Sequence, residues 1–260
     1  MSKIDELRAI LKRLRAPDGC PWDRVQTLQT LKPCLQEECY ELLAAIDEND
    51  AAHHREELGD VLLQVVFQCA IREEEGAFTL DDVIADLNAK LIRRHPHVFG
   101  EVEAKTVDRV LQNWERIKQT ERKKPKSSAL DGVPDALPAL LKAQRTQAKA
   151  SRVGFDWKDS SGAIEKVREE FEEFVDAAQN GTLEERADEF GDILFALVNV
   201  ARFLEIDAEG ALRGATAKFS KRFKSVEQRL KERGREMKEC TLAELDAIWE
   251  EVKKEQREQV

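Results

Sequence analysis

Two pairs of acidic residues in the second half of the chain have a spacing suited to metal binding. Glu170 and Glu173 form the first pair, and Glu189 and Asp192 form the second. Residues three positions apart lie on one face of an α-helix, so each pair presents two carboxylates to the same side. Four carboxylates that converge from two helices repel each other unless a cation or protons neutralise them. The spacing therefore predicts a metal site held by these four side chains.

The same acidic pattern occurs in the first half of the chain. Glu170 repeats Glu38, and Asp192 repeats Asp60, both at an offset of 132 in the numbering. One isolated acidic pair is usually no more than a solvated helix face, and this is the alternative interpretation. Recurrence of the whole pattern at a common offset favours a site instead. The ligands of this second copy would be Glu38, Glu41, Glu57 and Asp60.

The available ligand types narrow the choice of metal. All four histidines lie in the first half, so the second half lacks the Glu-x-x-His pairs that bind iron in helical bundles. Carboxylate oxygens alone suit Mg²⁺, with Mn²⁺ as a substitute. We interpret the histidines as surface or packing residues: His53, His54, His95 and His97.

Basic residues recur as well. Lys218 and Arg222, four positions apart on one predicted helix face, repeat Lys90 and Arg94 at an offset of 128. Such a pair could merely solvate a helix, but beside a metal–carboxylate site it could neutralise phosphate oxygens. Lys166 lies one turn before the first acidic pair and adds a further cation.

The four tryptophans pair in the same way. Trp22 pairs with Trp157, and Trp114 pairs with Trp249, both at an offset of 135. Trp249, with Lys253 one turn later, is a candidate for stacking on a base, although a helical tryptophan more often belongs to a core. We place Trp22 and Trp157 in loops.

These offsets differ by only a few residues, so the chain is a tandem duplication. Module one is predicted over residues 1–124 and module two over residues 138–260. The segment between them, residues 125–137, contains prolines, serines and a glycine, a composition typical of a linker.

Helical periodicity predicts an all-α fold. In module two it favours helices over residues 164–178, 183–204, 208–233 and 242–254. The run 193–201 is apolar almost all round, which predicts a helix buried in a bundle. Because glycine weakens a helix interior, we expect Gly59 and Gly191 to lie at close helix–helix contacts.

Bulk composition limits the range of functions. The net charge of −10 argues against binding along a nucleic-acid backbone. Five scattered cysteines without CxxC spacing argue against a disulfide framework or a zinc site. No apolar run reaches membrane-spanning length, and residues 1–15 lack the apolar segment of a signal peptide. We therefore expect a cytoplasmic protein that binds neither membranes nor nucleic acids.

Taken together, the motifs resemble those of the MazG family of nucleoside triphosphate pyrophosphohydrolases. The resemblance rests on EExxE followed by ExxD, then KFxxRF and a late Trp-x-x-x-Lys. GCPWD at residues 19–23, HPHVFG at 95–100 and GFDW at 154–157 are also typical of two-module members. The resemblance extends over essentially the whole chain.

This resemblance implies two tandem, four-helix-type modules, assembled as a homodimer. It implies Mg²⁺-dependent cleavage of nucleoside triphosphates to a nucleoside monophosphate and pyrophosphate, with broad tolerance of base and sugar. It also implies that module two is catalytic and that module one mainly serves architecture, although module one retains its acidic residues and its activity is left open. The implied Mg²⁺ ligands are Glu170, Glu173, Glu189 and Asp192, and the implied nucleotide contacts are Lys166, Lys218, Arg222 and Trp249.

In the mechanism that we expect, Glu169 or Glu173 orients or deprotonates the attacking water, with Glu170 beside them. The substrate-binding set also includes Glu170, Arg186, Glu189, Asp192 and Lys253. Two alternatives stay open. One is a pyrophosphohydrolase restricted to a single nucleotide, such as dUTP or one with a damaged base. The other is an inactive helical dimerisation module whose acidic faces bind a basic partner.

Overall fold

The computed structural model describes residues 2–121 and 127–258. Every regular element in these residues is a helix, which confirms the all-α prediction. The chain divides into two compact units, residues 1–124 and 125–260. The predicted linker 125–137 starts with two residues outside the described part, Pro125 and Lys126, and continues through turns from Ser127 onward.

The first unit is built around a helical hairpin. Its helices are α1 (Lys3–Leu14), α2 (Pro21–Val25), α3 (Leu31–Glu48), α4 (Ala51–Glu74), α5 (Leu80–Arg94), α6 (Pro96–Phe99) and α7 (Val107–Thr120). Asn49 ends α3 in the left-handed conformation, and the carboxylate of Asp50 accepts backbone N–H groups of Ala52 and His53 to begin α4. This short connection makes α3 and α4 antiparallel. Leu11, Leu31 and Phe67 lie in the core beneath the hairpin.

The second unit repeats the hairpin. Its helices are α8 (Ala139–Ser151), α9 (Ser160–Asn180), α10 (Leu183–Phe203), α11 (Ala208–Glu232) and α12 (Leu242–Glu258), with a 3₁₀ turn at Met237–Glu239. The four helices predicted for module two are confirmed, with ends shifted by at most four residues. α8 was not predicted, because it is short, polar and directly follows the proline-containing linker.

Reciprocal capping starts α10 close to the end of α9. The hydroxyl of Thr182 accepts the N–H of Glu185 at 3.2 Å, while the carboxylate of Glu185 accepts the N–H of Thr182 at 2.7 Å. This capping box satisfies amide groups that the first helical turn leaves unpaired. Because only Gly181 and Thr182 separate the two helices, α10 folds back along α9 and brings its first turns beside the acidic middle of α9.

The prediction that the apolar run of α10 is buried was wrong within this chain. Ala196 and Val198 are buried, but Leu194, Phe195 and Leu197 are 37–46% exposed. The reason is that α8 and α9 pack against one side of α10 and leave the other side uncovered. Despite this apolar stretch, no helix in the described residues is long and apolar enough to cross a membrane.

The prediction for the two helical glycines was also wrong. A Cβ atom added at Gly59 or at Gly191 would meet no other atom within 4 Å, so neither glycine lies at a close helix contact in the chain. Of the two tryptophans placed in loops, Trp157 does precede α9 in a loop, whereas Trp22 lies in α2. Pro21 explains the difference, since proline favours the first position of a helix.

Candidate metal and nucleotide site

Three of the four predicted ligands in module two converge. One carboxylate oxygen from each of Glu170, Glu173 and Glu189 lies within 4.8 Å of the other two. Glu170 and Glu173 come from α9, and Glu189 comes from α10 across the hairpin. Glu170 is only 6% exposed, whereas Glu173 is exposed and Glu189 is half-buried. We call these three residues, with Asp192 one turn beyond Glu189, the acidic cluster of module two.

The charges of the cluster act on one another. The pKa of Glu189 is raised, first by loss of hydration and then by the negative charges of Glu173, Glu170 and Asp192. Lys166 offsets part of this charge, since its ammonium lies 2.7 Å from a carboxylate oxygen of Glu169 and 2.7 Å from one of Glu170. These contacts raise the pKa of Lys166 above its usual range. One lysine cannot neutralise a cluster of this size, which favours a further cation.

Module one contains a matching cluster. Carboxylate oxygens of Glu38, Glu41 and Glu57 also lie within 4.8 Å of one another. Burial raises the pKa of Glu38, and the charges of Asp60, Glu41 and Glu57 raise it further. Glu57 is 7% exposed, and its Oε2 atom has no hydrogen-bond partner among the described residues. An unpartnered buried carboxylate oxygen is what a bound cation would satisfy.

His53 contacts this cluster, which the interpretation of the histidines as surface or packing residues missed. Its Nε2 lies 3.1 Å from Glu57 Oε1, and its Nδ1 lies 3.1 Å from Glu48 Oε2. The contact with Glu48 is the main reason why the pKa of His53 is raised. The spacing of four residues between His53 and Glu57 was the available signal. At the position equivalent to Lys166, module one has Cys34.

The basic residues predicted to bind substrate lie outside the acidic cluster. In the described part of the chain, no ion pair joins Lys218 or Arg222 to the cluster; Lys218 is exposed, and Arg222 donates from Nε to Gln256 Oε1 at 3.1 Å. Lys253 pairs with Glu250 at 2.6 Å on α12. Arg186 donates to the carbonyl of Ala177, at the end of α9, at 3.2 Å. Within the described residues, Lys166 is the one predicted cation that contacts the cluster.

Trp249 is a half-buried residue of α12 that faces α11. It packs against a core that contains Val226 and Ile248, and its ring lies 5.1 Å from that of Phe219. Phe219 in turn stacks on Phe223 at 5.9 Å. Of the two interpretations of Trp249, this environment fits a core residue better than a residue that stacks on a base.

The basic residues of module one have different partners. Arg94 forms two hydrogen bonds of 2.5 and 2.9 Å with Glu121, and Arg93 also pairs with Glu121. The guanidinium of Arg94 lies over Trp114 at 5.3 Å, with Lys118 at 4.7 Å from the same ring. Glu121 and Gln256 occupy equivalent positions, at the same offset of 135 as the tryptophans. The arginine is therefore paired with a carboxylate in module one and with a neutral amide in module two.

Fold and site together define a class. The protein is all-α, and each half has a helical hairpin whose facing carboxylates form a cluster suited to a divalent cation. In module two, all the candidate metal ligands are carboxylate oxygens. Their negative charges repel one another, and a bound cation would relieve that repulsion.

Comparison with known proteins identifies the family. The MazG nucleotide pyrophosphohydrolase domain matches twice, at residues 26–99 and 159–227. The chain is 51% identical over 250 residues to the nucleoside triphosphate pyrophosphohydrolase/pyrophosphatase MazG of Thermotoga maritima, covering 96% of this chain and 95% of the relative. It is 44% identical over 260 residues to the nucleoside triphosphate pyrophosphohydrolase of Escherichia coli K12, covering 98% and 99% of the two chains.

A third relative is longer than this chain. The uncharacterized protein YabN of Bacillus subtilis is 51% identical over 256 residues, which span 98% of this chain but 52% of YabN. The matched domains include both hairpins that bear the acidic clusters. The chain belongs to the MazG family of nucleoside triphosphate pyrophosphohydrolases.

Proposed function

We propose that module two hydrolyses nucleoside triphosphates between the α- and β-phosphates, releasing a nucleoside monophosphate and pyrophosphate. The reaction uses Mg²⁺, with Mn²⁺ as a substitute, and tolerates different bases and sugars. The observation that carries this proposal is the convergence of Glu170, Glu173 and Glu189 across the α9–α10 hairpin. The names of the Thermotoga maritima and Escherichia coli relatives support the substrate class.

Glu170, Glu173, Glu189 and Asp192 would hold the metal. When bound, Mg²⁺ supplies positive charge for phosphate oxygens and lowers the pKa of a coordinated water. The burial of Glu170 and the half-burial of Glu189 limit competition from solvent at this point of the hairpin.

A carboxylate of α9 would orient the attacking water and accept its proton. Glu169 and Glu173 are the two candidates. Glu169 is held in an ion pair with Lys166 at 2.7 Å and is not one of the three converging carboxylates. Glu173 is exposed and lies within the cluster, so it is the better placed of the two for this role.

The cations of α11 and α12 would bind the phosphates. Arg222 is hydrogen-bonded to the neutral amide of Gln256, so its positive charge is available to a pyrophosphate oxygen. Lys218, four residues earlier and exposed, would act beside it, with Lys253 on α12. Arg186, at the start of α10, would contribute a further contact.

The partners of the equivalent arginines support module two as the catalytic module. Glu121 offsets one of the two positive charges of Arg93 and Arg94, whereas Gln256 carries no charge to offset that of Arg222, so module one offers less positive charge to a triphosphate at this point. We assign module one mainly to architecture. The proposed domains are residues 1–124, the linker 125–137 and residues 138–260.

We further propose that the protein is a homodimer of the cytoplasm. Phe190, Leu194 and Leu197 follow one face of α10 and are 37–52% exposed, as expected for a helix face that a second copy covers. All five cysteines are free thiols, which suits a reducing compartment.

The test is pyrophosphate release from a panel of nucleoside triphosphates, with and without Mg²⁺. Glu173→Gln should lower the rate by at least about a hundredfold, because a general base contributes that much or more. The matched Glu41→Gln variant of module one should stay close to wild type. Equal losses in both variants would make module one catalytic as well, and no release from any nucleotide would refute the proposal.

A further inference from the structure

A cavity of module two lies along α10, beyond the acidic cluster. Its volume is about 500 Å³, within the range of small-molecule sites. Phe195, Asn199 and Arg202 of α10 form one wall. Asn199 is seven residues, or two turns, beyond Asp192, which places both on the same helix face about 10 Å apart. The cavity is therefore a neighbour of the acidic cluster along one face of α10.

A buried polar atom at this cavity lacks a partner. Gln147 of α8 lines the cavity and is only 7% exposed. Its Nε2 donates to the carbonyl of Phe195 at 2.7 Å, while its Oε1 has no hydrogen-bond partner among the described residues. Leaving a buried acceptor unpaired is costly, so the arrangement favours a ligand that brings an N–H group.

Aromatic side chains flank the opening. Phe155 is 84% exposed and Trp157 is 48% exposed, and both line the cavity. Gly162 allows the indole to lie against the start of α9, since a Cβ atom there would come within 2.7 Å of the Trp157 ring. Exposed aromatic faces beside a cavity can stack on any flat heterocycle.

An ion pair holds the loop that carries Phe155 and Trp157 against α10. Arg202 donates to both carboxylate oxygens of Asp156, at 3.0 and 2.5 Å, and the two side chains are 16% and 24% exposed. The same arginine donates to Asn199 Oδ1 at 2.8 Å. This fork of hydrogen bonds fixes the loop and the amide of Asn199 in one arrangement. The cavity wall is thus preorganised.

Module one has apolar residues at two of the equivalent positions. Phe67 is the counterpart of Asn199 at the offset of 132, is 3% exposed and lies in the hydrophobic core. Leu11 is the counterpart of Thr146, another lining residue, at the offset of 135 and is 1% exposed. Arg15, at the position of Ala150, lies 5.3 Å from the Phe67 ring. Module one also has a cavity here, of about 410 Å³, but Lys12 stands at the position of Gln147. The unpartnered amide oxygen of Gln147 is therefore a feature of the module-two cavity.

We infer that this cavity binds the base of the nucleoside triphosphate, with Trp157 and Phe155 stacking on the ring and Gln147 Oε1 accepting an amino or imino N–H. The inference rests on the proposed function, since the phosphates would lie at the acidic cluster. Stacking accepts every base, and one acceptor is met by an N–H of each common base, so the cavity suits a broad substrate range.

The test compares ATP with ribose 5-triphosphate, which has no base, in Mg²⁺. Wild-type kcat/KM should be at least about tenfold higher for ATP, because base stacking and one hydrogen bond are lost without the base. Gln147→Leu should lower kcat/KM for ATP about tenfold and leave that for ribose 5-triphosphate unchanged. Gln64→Leu is the matched control: Gln64 is a buried glutamine of module one whose Oε1 is also unpartnered, and it should change neither value.

A binding measurement separates this inference from the proposed hydrolysis. Adenosine titrated into the metal-free protein should bind to wild type and about tenfold more weakly to Gln147→Leu. Trp157→Ala, at a position that is 48% exposed, should weaken adenosine binding as well. Equal adenosine affinity in wild type and Gln147→Leu, or equal losses for both triphosphates, would overturn the inference. Failure to release pyrophosphate from either triphosphate would instead refute the proposed function.

Discussion

At the scale of single residues, the two modules differ most in the groups that surround their shared carboxylates. Arg94 faces Glu121, whereas the equivalent Arg222 faces Gln256. The residue at this one position, a glutamate or a glutamine, decides whether a negative charge already offsets the guanidinium. Because a carboxylate offsets the charge of the guanidinium and an amide does not, this difference bears directly on phosphate binding.

Gln256→Glu should therefore weaken substrate binding in module two. The new carboxylate would pair with Arg222 as Glu121 pairs with Arg94, and we expect KM for a nucleoside triphosphate to rise roughly tenfold, as for loss of one charged hydrogen bond of about 1.5 kcal/mol. Steady-state pyrophosphate release measures the change. Gln256→Ala removes the amide without adding charge and is the control. If both variants have the same KM, the charge at this position does not matter.

The acidic cluster should destabilise the metal-free protein at neutral pH. The folded-state pKa of Glu189 is raised, so the folded protein binds this proton more tightly than the unfolded chain and loses stability as pH rises through the window between the two pKa values. Glu189→Gln should raise the metal-free Tm at pH 7 by a few degrees, flatten its pH dependence and abolish the stabilisation by Mg²⁺.

Differential scanning calorimetry with and without Mg²⁺ would measure this effect. Glu227→Gln, on an exposed part of α11 outside the cluster, is the control and should leave Tm and its response to Mg²⁺ unchanged. A metal-free Glu189→Gln protein less stable than wild type would contradict the expected repulsion.

At the scale of elements, the helical hairpin is what brings the acidic pairs together. Glu170 and Glu173 lie in the middle of α9, and Glu189 reaches them only if α10 begins immediately after α9 ends. The capping box of Thr182 and Glu185 sets this starting point. Glu185 therefore acts in capping the helix that carries Glu189.

Removing this cap should loosen the hairpin. Thr182→Ala should lower the free energy of unfolding by about 1 kcal/mol, the usual cost of losing an N-cap side chain. Chemical denaturation followed by circular dichroism measures it. Thr216→Ala, in the middle of α11, is a matched control that should be neutral or slightly stabilising, because alanine favours a helix interior. Equal effects of the two substitutions would argue against the cap.

At the scale of the whole molecule, the uncovered side of α10 requires explanation. One side of α10 packs against α8 and α9. The apolar residues on its other side would be exposed to water in an isolated chain. Burial of apolar area against a second copy would contribute about 25 cal/mol per Å² before the costs of association. The open space beside Gly191 leaves room for the partner.

Leu194→Asp should therefore favour the monomer. A buried, unpaired carboxylate at a dimer interface is costly, so sedimentation velocity should show a dimer for wild type and a monomer for the variant at micromolar concentration. Leu242→Asp, at an 82% exposed position at the start of α12, should remain dimeric. A monomeric wild-type protein would rule out the homodimer.

Local rules were enough to obtain much of this structure from the chain alone. The period of 3.6 residues located α9, α10, α11 and α12, and the spacing of three placed each acidic pair on one helix face. The common offset between repeats predicted that the second and first halves would carry like clusters, and both converge. These features depend on neighbours within one or two helical turns, which a sequence displays directly.

Contacts between distant residues settled the rest. Arg94 meets Glu121 across 27 residues, Arg222 meets Gln256 across 34, and Gln147 meets Phe195 across 48. Neither these partners nor the uncovered side of α10 could be read from periodicity, because a helical pattern shows which side is apolar and not what packs against it. Packing in three dimensions therefore distinguished two modules whose acidic motifs are the same.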